Sequence, residues 1–129
     1  VCENTEHGLR LNQPAGHLEY GETLLQAVAR EALEETGYAA NPVALSGIYL
    51  ADKDDSSDIT YLRFAFVCQA DGQPLRSQLD EGIVEAVWLT PDEIRARQAM
   101  WRSPLVGRCL DDYLAGQRLP LAGIYHHGR

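Results

Sequence analysis

Basic charge is scarce in this chain. Eleven lysines and arginines face nineteen aspartates and glutamates, for a formal net charge of −8. A field of that sign repels nucleic-acid backbones and anionic lipid headgroups, which argues against passive binding to either. A protein this acidic handles phosphates only with cations standing between. Long apolar runs are missing too: no stretch approaches the ~18 residues of a membrane-spanning helix, and none has the pattern of a signal peptide. Cysteine is sparse and unpatterned. Cys2, Cys68 and Cys109 are odd in number, far apart and without CxxC spacing, which speaks for small buried reduced thiols and against a disulfide framework or a zinc site. A cytoplasmic location is the expectation. Internal repeats and low-complexity segments are also absent.

With 129 residues and 45% hydrophobic content, the chain can bury a core of its own. A single domain over residues 1–129 is expected. Its most informative stretch runs from Gly16 to Tyr38, GHLEYGETLLQAVAREALEETGY. Leu25, Val28, Ala29, Ala32 and Thr36 recur with helical period and form a stripe suited to lie on a sheet. Thr23 with Gln26 reads as a capping box, and Gly37 stands where a left-handed helix end wants glycine, so a helix over 23–36 is predicted. On its other side Glu31, Glu34 and Glu35 occupy positions i, i+3 and i+4. At about 100° per residue they share roughly one third of the circumference. Three carboxylates so close repel one another unless a cation sits among them. Glutamate oxygens are hard ligands that suit Mg²⁺ or Mn²⁺, and a helix face bearing them a turn apart leaves coordination positions for a diphosphate. A plain solvated face, or an Arg30–Glu34 pair four residues apart, is the simpler account of any one of these residues.

The spacing is more specific than that. From Gly16 there are five residues to Glu22, seven more to Arg30 and Glu31, then Glu34, Glu35, Gly37 and Tyr38. This resembles the Nudix box, in which a glycine, a glutamate and an Arg-Glu…Glu-Glu…Gly run stand at these intervals with bulky apolar residues at two places. Ala32 is small for the first of those places, and Tyr38 is acceptable at the second. The resemblance implies an α/β fold, a Nudix-type α/β/α sandwich around a mixed β-sheet, and a phosphohydrolase. It implies metal binding by Glu34 and Glu35 with the backbone carbonyl of Ala15. By the same resemblance Glu31 would be a metal ligand or the base that deprotonates water. The resemblance further implies that Arg30 would orient Glu31 and that Glu22 would support the loop end of the cluster. The cofactor expected is Mg²⁺, with Mn²⁺ as a substitute.

Around the box, strands and helices alternate as in an α/β fold. Residues 1–13 look short and turn-like. The core strands that Nudix domains carry at this point are expected to be missing, with Val1 and Cys2 the tail of a strand in a chain that starts partway through the protein. Asn41 and Pro42 break the helix, a strand is predicted over Val43–Leu50, and the acidic loop 52–58 is a hairpin connection or an accessory metal site. Thr60–Gln69 is the clearest strand, closed by Asp71 and Gly72. Ile83–Leu89, bearing Trp88, is predicted as another. Thr90 and Pro91 start a helix, and a last helix is predicted over Pro104–Ala115, ended by Gly116.

Many Nudix enzymes recruit one further carboxylate from outside the box, and here Asp80 and Glu81 are the candidates, with Glu85 behind them and Glu81 taken as the ligand. His17 sits in the box loop, within reach of a phosphate or bracing the loop. His126 and His127 fall in a tail that looks frayed. The runs NQPAGHLE (Asn12–Glu19), Tyr61–Phe66, RSPLV (Arg102–Val106) and AGQRLP are similar to the NudJ-type Nudix phosphatases. That similarity implies release of orthophosphate from nucleoside tri- and diphosphates or from the pyrophosphate of the thiamine pyrimidine precursor. Arg63 and Arg102 are then candidate substrate contacts. A nucleotide-sugar type of substrate, or a Nudix domain that binds without turnover, is the alternative. The expected partner is a small phosphorylated molecule, with no nucleic acid and no membrane, acting on a monomer or homodimer.

Overall fold

The structure, a computed structural model, describes residues 1–53 and 57–128. It opens with a hairpin of β1 (Cys2–Thr5) and β2 (Gly8–Leu11), antiparallel with Cys2 opposite Leu11. Gly8 takes the turn at φ +98°, and Thr5 Oγ1 donates to Gly8 O at 2.7 Å while accepting from His7 N at 3.1 Å. The expectation that residues 1–13 are turn-like and that strands are missing there is thus corrected. Four-residue strands carrying Glu3, Asn4 and Arg10 make no apolar run. They are strands because β1 is hydrogen-bonded on both sides, to β2 and to β5 (Ile83–Glu85).

Helix α1 (Leu24–Thr36) follows with the caps predicted for it. Thr23 and Gln26 form the capping box, and Gly37 ends the helix at φ +82°, its N–H donating to Leu33 O at 2.9 Å. The stripe of Leu25, Val28, Ala29, Ala32 and Thr36 is half-buried; Glu35 is the residue of α1 that is buried. A long hairpin comes next, β3 (Asn41–Asp52) and β4 (Thr60–Gln69), whose register runs from Asn41 opposite Gln69 to Asp52 opposite Thr60. Pro42 lies inside β3, at one of its two register shifts, the kind of place where a strand tolerates a residue without an N–H. Strand β5 is only three residues long because β1, its partner, runs out opposite Glu85. Trp88 is therefore outside the sheet, 71% exposed, its indole N–H donating to Tyr38 Oη at 3.2 Å.

Helix α2 (Pro91–Ala96) starts with a capping box of Thr90 and Glu93, and α3 (Leu105–Leu114) is the last helix. The pattern of one mixed sheet is not what forms. Three strands in the order β2-β1-β5 make one antiparallel sheet, β3-β4 make a second, and Leu11 meets Trp101 in an isolated parallel bridge. Both α1 and α3 pack on β3. The buried apolar residues join the first hairpin (Val1, Cys2, Leu11), β3 (Leu45, Tyr49) and α3 (Val106, Cys109). Among the described residues no helix is long and apolar enough to cross a membrane.

Candidate active site

The site grows from one helix face and the loop ahead of it. Arg30 stands at its centre. Its guanidinium donates to Glu22 through Nε (3.0 Å) and Nη2 (2.7 Å), to Glu31 through Nη1 (2.7 Å), to Glu34 through Nη1 (3.1 Å), and to the His17 carbonyl through Nη2 (3.0 Å). One planar cation thus holds three carboxylates and the loop backbone, a geometry that a lysine's single ammonium cannot copy. Hydrogen bonds from Arg30, helped by the Glu19 N–H, hold the Glu22 carboxyl down at about 2. Glu22 and then Glu31 push the Arg30 pKa further up in return.

Gly16 explains how the loop comes so near. A Cβ at this position would overlap the Glu31 carboxylate, so only glycine lets the loop close over the helix. Glu35 lies beneath, 8% exposed, with Oε1 accepting the Ala15 N–H at 3.1 Å. Burial pushes its carboxyl up to about 7; the Ala15 N–H pulls the other way, and the neighbouring Glu31 adds to the rise. Glu35 therefore ties down the very residue whose carbonyl the box assigns to the cation.

The third acid comes from outside the helix. Asp80 donates its backbone N–H to Glu34 O at 2.9 Å. Ligand oxygens of Glu31, Glu34 and Asp80 all lie within 4.8 Å of one another. A set made only of carboxylate oxygens suits a hard divalent cation, and three negative groups this close favour one. Glu81 does not join this trio, and Glu85 is in β5, opposite Cys2. On the Asp80 side a cavity of about 540 Å³, lined by Thr36, Tyr38, Arg76, Leu79 and Val84 among others, starts one residue away.

The other residues singled out in the sequence fall in different places. The ring of His17 is 6.1 Å from that of Tyr61, centroid to centroid. The side chain of Arg63, half-buried on β4 opposite Tyr49, makes no hydrogen bond or ion pair with a described residue, and its charge acts on the Cys109 thiol. Arg102 is occupied, its Nη1 pairing with Glu3 Oε1 at 2.8 Å. Cys2, Cys68 and Cys109 are free thiols. The accessory metal site considered for the acidic loop includes Asp54, Asp55 and Ser56, which lie outside the described residues. The tail read as frayed is instead tied down, with His126 Nε2 accepting the Leu24 N–H at 3.1 Å and His127 Nδ1 2.9 Å from Tyr125 Oη. No periodicity announces a contact between residues 102 positions apart.

The chain is similar to several known proteins. The family described as NUDIX domain matches residues 3–109. "Phosphatase NudJ" of Escherichia coli is 38% identical over 125 residues, which cover 96% of this chain and 80% of that protein, and the protein of that name from Shigella sonnei gives the same figures. A solved structure of a NUDIX hydrolase from Nitrosomonas europaea is 49% identical, with a TM-score of 0.89 over 99% of this chain and 88% of that one.

Proposed function

Since the chain belongs to the Nudix hydrolase family, we propose that it is a Mg²⁺-dependent phosphatase that removes orthophosphate from nucleoside di- or triphosphates or from the thiamine pyrimidine pyrophosphate. Mn²⁺ substitutes for Mg²⁺. The observation that carries this reading is the meeting of Glu31, Glu34 and Asp80 oxygens beside Arg30. The likeness to the proteins called Phosphatase NudJ supports the phosphatase reaction.

Hydrolysis forms one bond from a water oxygen to phosphorus and breaks one P–O–P bridge, so the water proton must leave and charge on the phosphoryl oxygens must be countered. A bound divalent cation supplies both effects, by acidifying water and neutralising oxygen charge. Glu31, Glu34 and Asp80 provide the negative charge that holds it, and Asp80 takes the place expected of Glu81. Glu35 anchors Ala15, whose carbonyl is the further ligand that the family resemblance assigns, and Glu22 fixes Arg30. Arg30 keeps Glu31 and Glu34 in place by its hydrogen bonds. Arg63, whose side chain makes no ion pair with a described residue, is the cation we assign to a substrate phosphate. Residues 1–129 act as one domain on a small phosphorylated substrate, as monomer or homodimer. Three free thiols suit a reducing, cytoplasmic setting.

The test is phosphate release from a panel of nucleotides and thiamine precursors in excess Mg²⁺, comparing the wild-type chain with Glu34→Gln. Orthophosphate that disappears in the variant and on chelation is the expected result. Pyrophosphate as the product would overturn the phosphatase assignment while keeping metal-dependent hydrolysis. No product from any substrate would overturn both.

A further inference from the structure

We infer that His126 is a positioning residue for the metal-bearing helix, reaching it through the backbone N–H of Leu24. That α1 bears the metal rests on the function proposed above.

An α-helix begins with N–H groups that have no partner inside it, and each must be met from elsewhere. At the start of α1 the Thr23 N–H goes to Gln26 Oε1 (2.9 Å) and the Gln26 N–H to Thr23 Oγ1 (3.1 Å), both local. The Leu24 N–H goes to His126 Nε2, a side chain from the far end of the sequence. An imidazole accepts only through an unprotonated nitrogen, so the neutral ring makes this bond; an imidazolium would offer no lone pair and would face the positive end of the helix dipole.

The path of the tail gives this bond its leverage. After α3 the Gln117 amide donates to Ser46 O at 2.7 Å, and Leu119 exchanges two backbone bonds with Leu45 (2.9 and 2.8 Å). A 3-10 turn at Leu121–Gly123 then leads on to His126. The tail is thus fastened to β3 and ends on the first turn of α1, which packs on the same strand. Leu24 is two residues after Glu22, the acid that grips Arg30 with both oxygens, and Arg30 in turn holds Glu31 and Glu34. A shift of the first turn therefore travels through Glu22 and Arg30 into the carboxylate trio. His127, which touches Tyr125, has no such line to the site.

The experiment is Mn²⁺ titration calorimetry on the full chain, with amide exchange of Leu24 followed by NMR, for the wild type, H126A, H126Q and H127A. A glutamine keeps a neutral acceptor at similar reach. H126A is expected to exchange Leu24 faster and to bind Mn²⁺ about fivefold more weakly, the loss of one cap bond, while H126Q recovers most of both and H127A matches the wild type. If H126A does not fold, H126L keeps the apolar bulk without an acceptor and carries the comparison with H126Q. Faster Leu24 exchange with an unchanged Mn²⁺ constant overturns the proposal, as does an H126Q no better than the variant lacking an acceptor. A wild-type chain that binds no Mn²⁺ marks failure of the metal reading itself and takes this proposal with it.

Discussion

Aspartate and glutamate differ by one methylene, and Asp80 and Glu81 by one position, yet they sit differently against the helix. The Asp80 N–H is held by Glu34 O, which fixes the loop so that the Asp80 carboxylate meets Glu31 and Glu34. Glu81, the next residue along, stays outside that trio. D80N is therefore expected to lower metal-dependent phosphate release about 10- to 100-fold, as loss of a group that holds or orients a metal does. E81Q should remain within about twofold of the wild type. Titrating Mg²⁺ against initial rate in both variants checks this, and equal losses would remove Asp80 from the site. The sequence offered both acids side by side and its reading took Glu81, whereas Asp80 is the one that meets the helix, because the choice depends on one long-range backbone bond.

For the helix α1, spacing alone was informative. Capping box, glutamate face and terminal glycine all arise within 16 residues of one another, where helical geometry converts position into direction. Gly37 shows how much tertiary contact adds. Its φ of +82° already disfavours a side chain, and a Cβ there would also collide with the Arg76 carbonyl. G37A is expected to lower stability by about 1–2 kcal/mol from the backbone conformation alone, and more if Arg76 cannot move. Thermal unfolding of the variant, without metal, measures this; an unchanged midpoint would mean that the helix ends elsewhere. The 73–79 loop that Arg76 belongs to precedes Asp80, so a displaced Arg76 should also weaken metal binding.

At the scale of the molecule, β3 and α3 are joined by a part-buried polar contact. Tyr49 Oη donates to Asp112 Oδ2 at 2.6 Å, and Arg108 Nε donates to the same carboxylate at 3.0 Å. The Tyr49 hydroxyl first, and Arg108 second, hold the Asp112 carboxyl below the usual aspartate range. A depressed folded value means that this carboxylate stabilises the fold fully above the ordinary aspartate pKa of about 3.9. The contribution is lost as pH falls from there through the lower folded value, because the unfolded chain takes up the proton first. D112N should flatten this part of the acid limb while lowering stability at neutral pH. Urea unfolding midpoints between about pH 7 and about pH 3 test it, and an unaltered acid slope would assign acid sensitivity to other groups.

What the sequence determined by itself was local: the box intervals, the caps of α1 and α2, the long β4 strand, and Glu31, Glu34, Arg30 and Glu22 on or beside one helix face. These follow from periodicity and short-range hydrogen bonds, which act over one or two turns whatever surrounds them. Tertiary structure decided the rest. It made strands of Cys2–Thr5 and Gly8–Leu11, divided the strands into two sheets, took Arg102 into a pair with Glu3, chose Asp80, and carried His126 to Leu24. Each of those outcomes needs two distant segments to meet. Residue spacing carries no record of such a meeting, since its energy comes from burial and pairing that exist only once the chain has closed on itself.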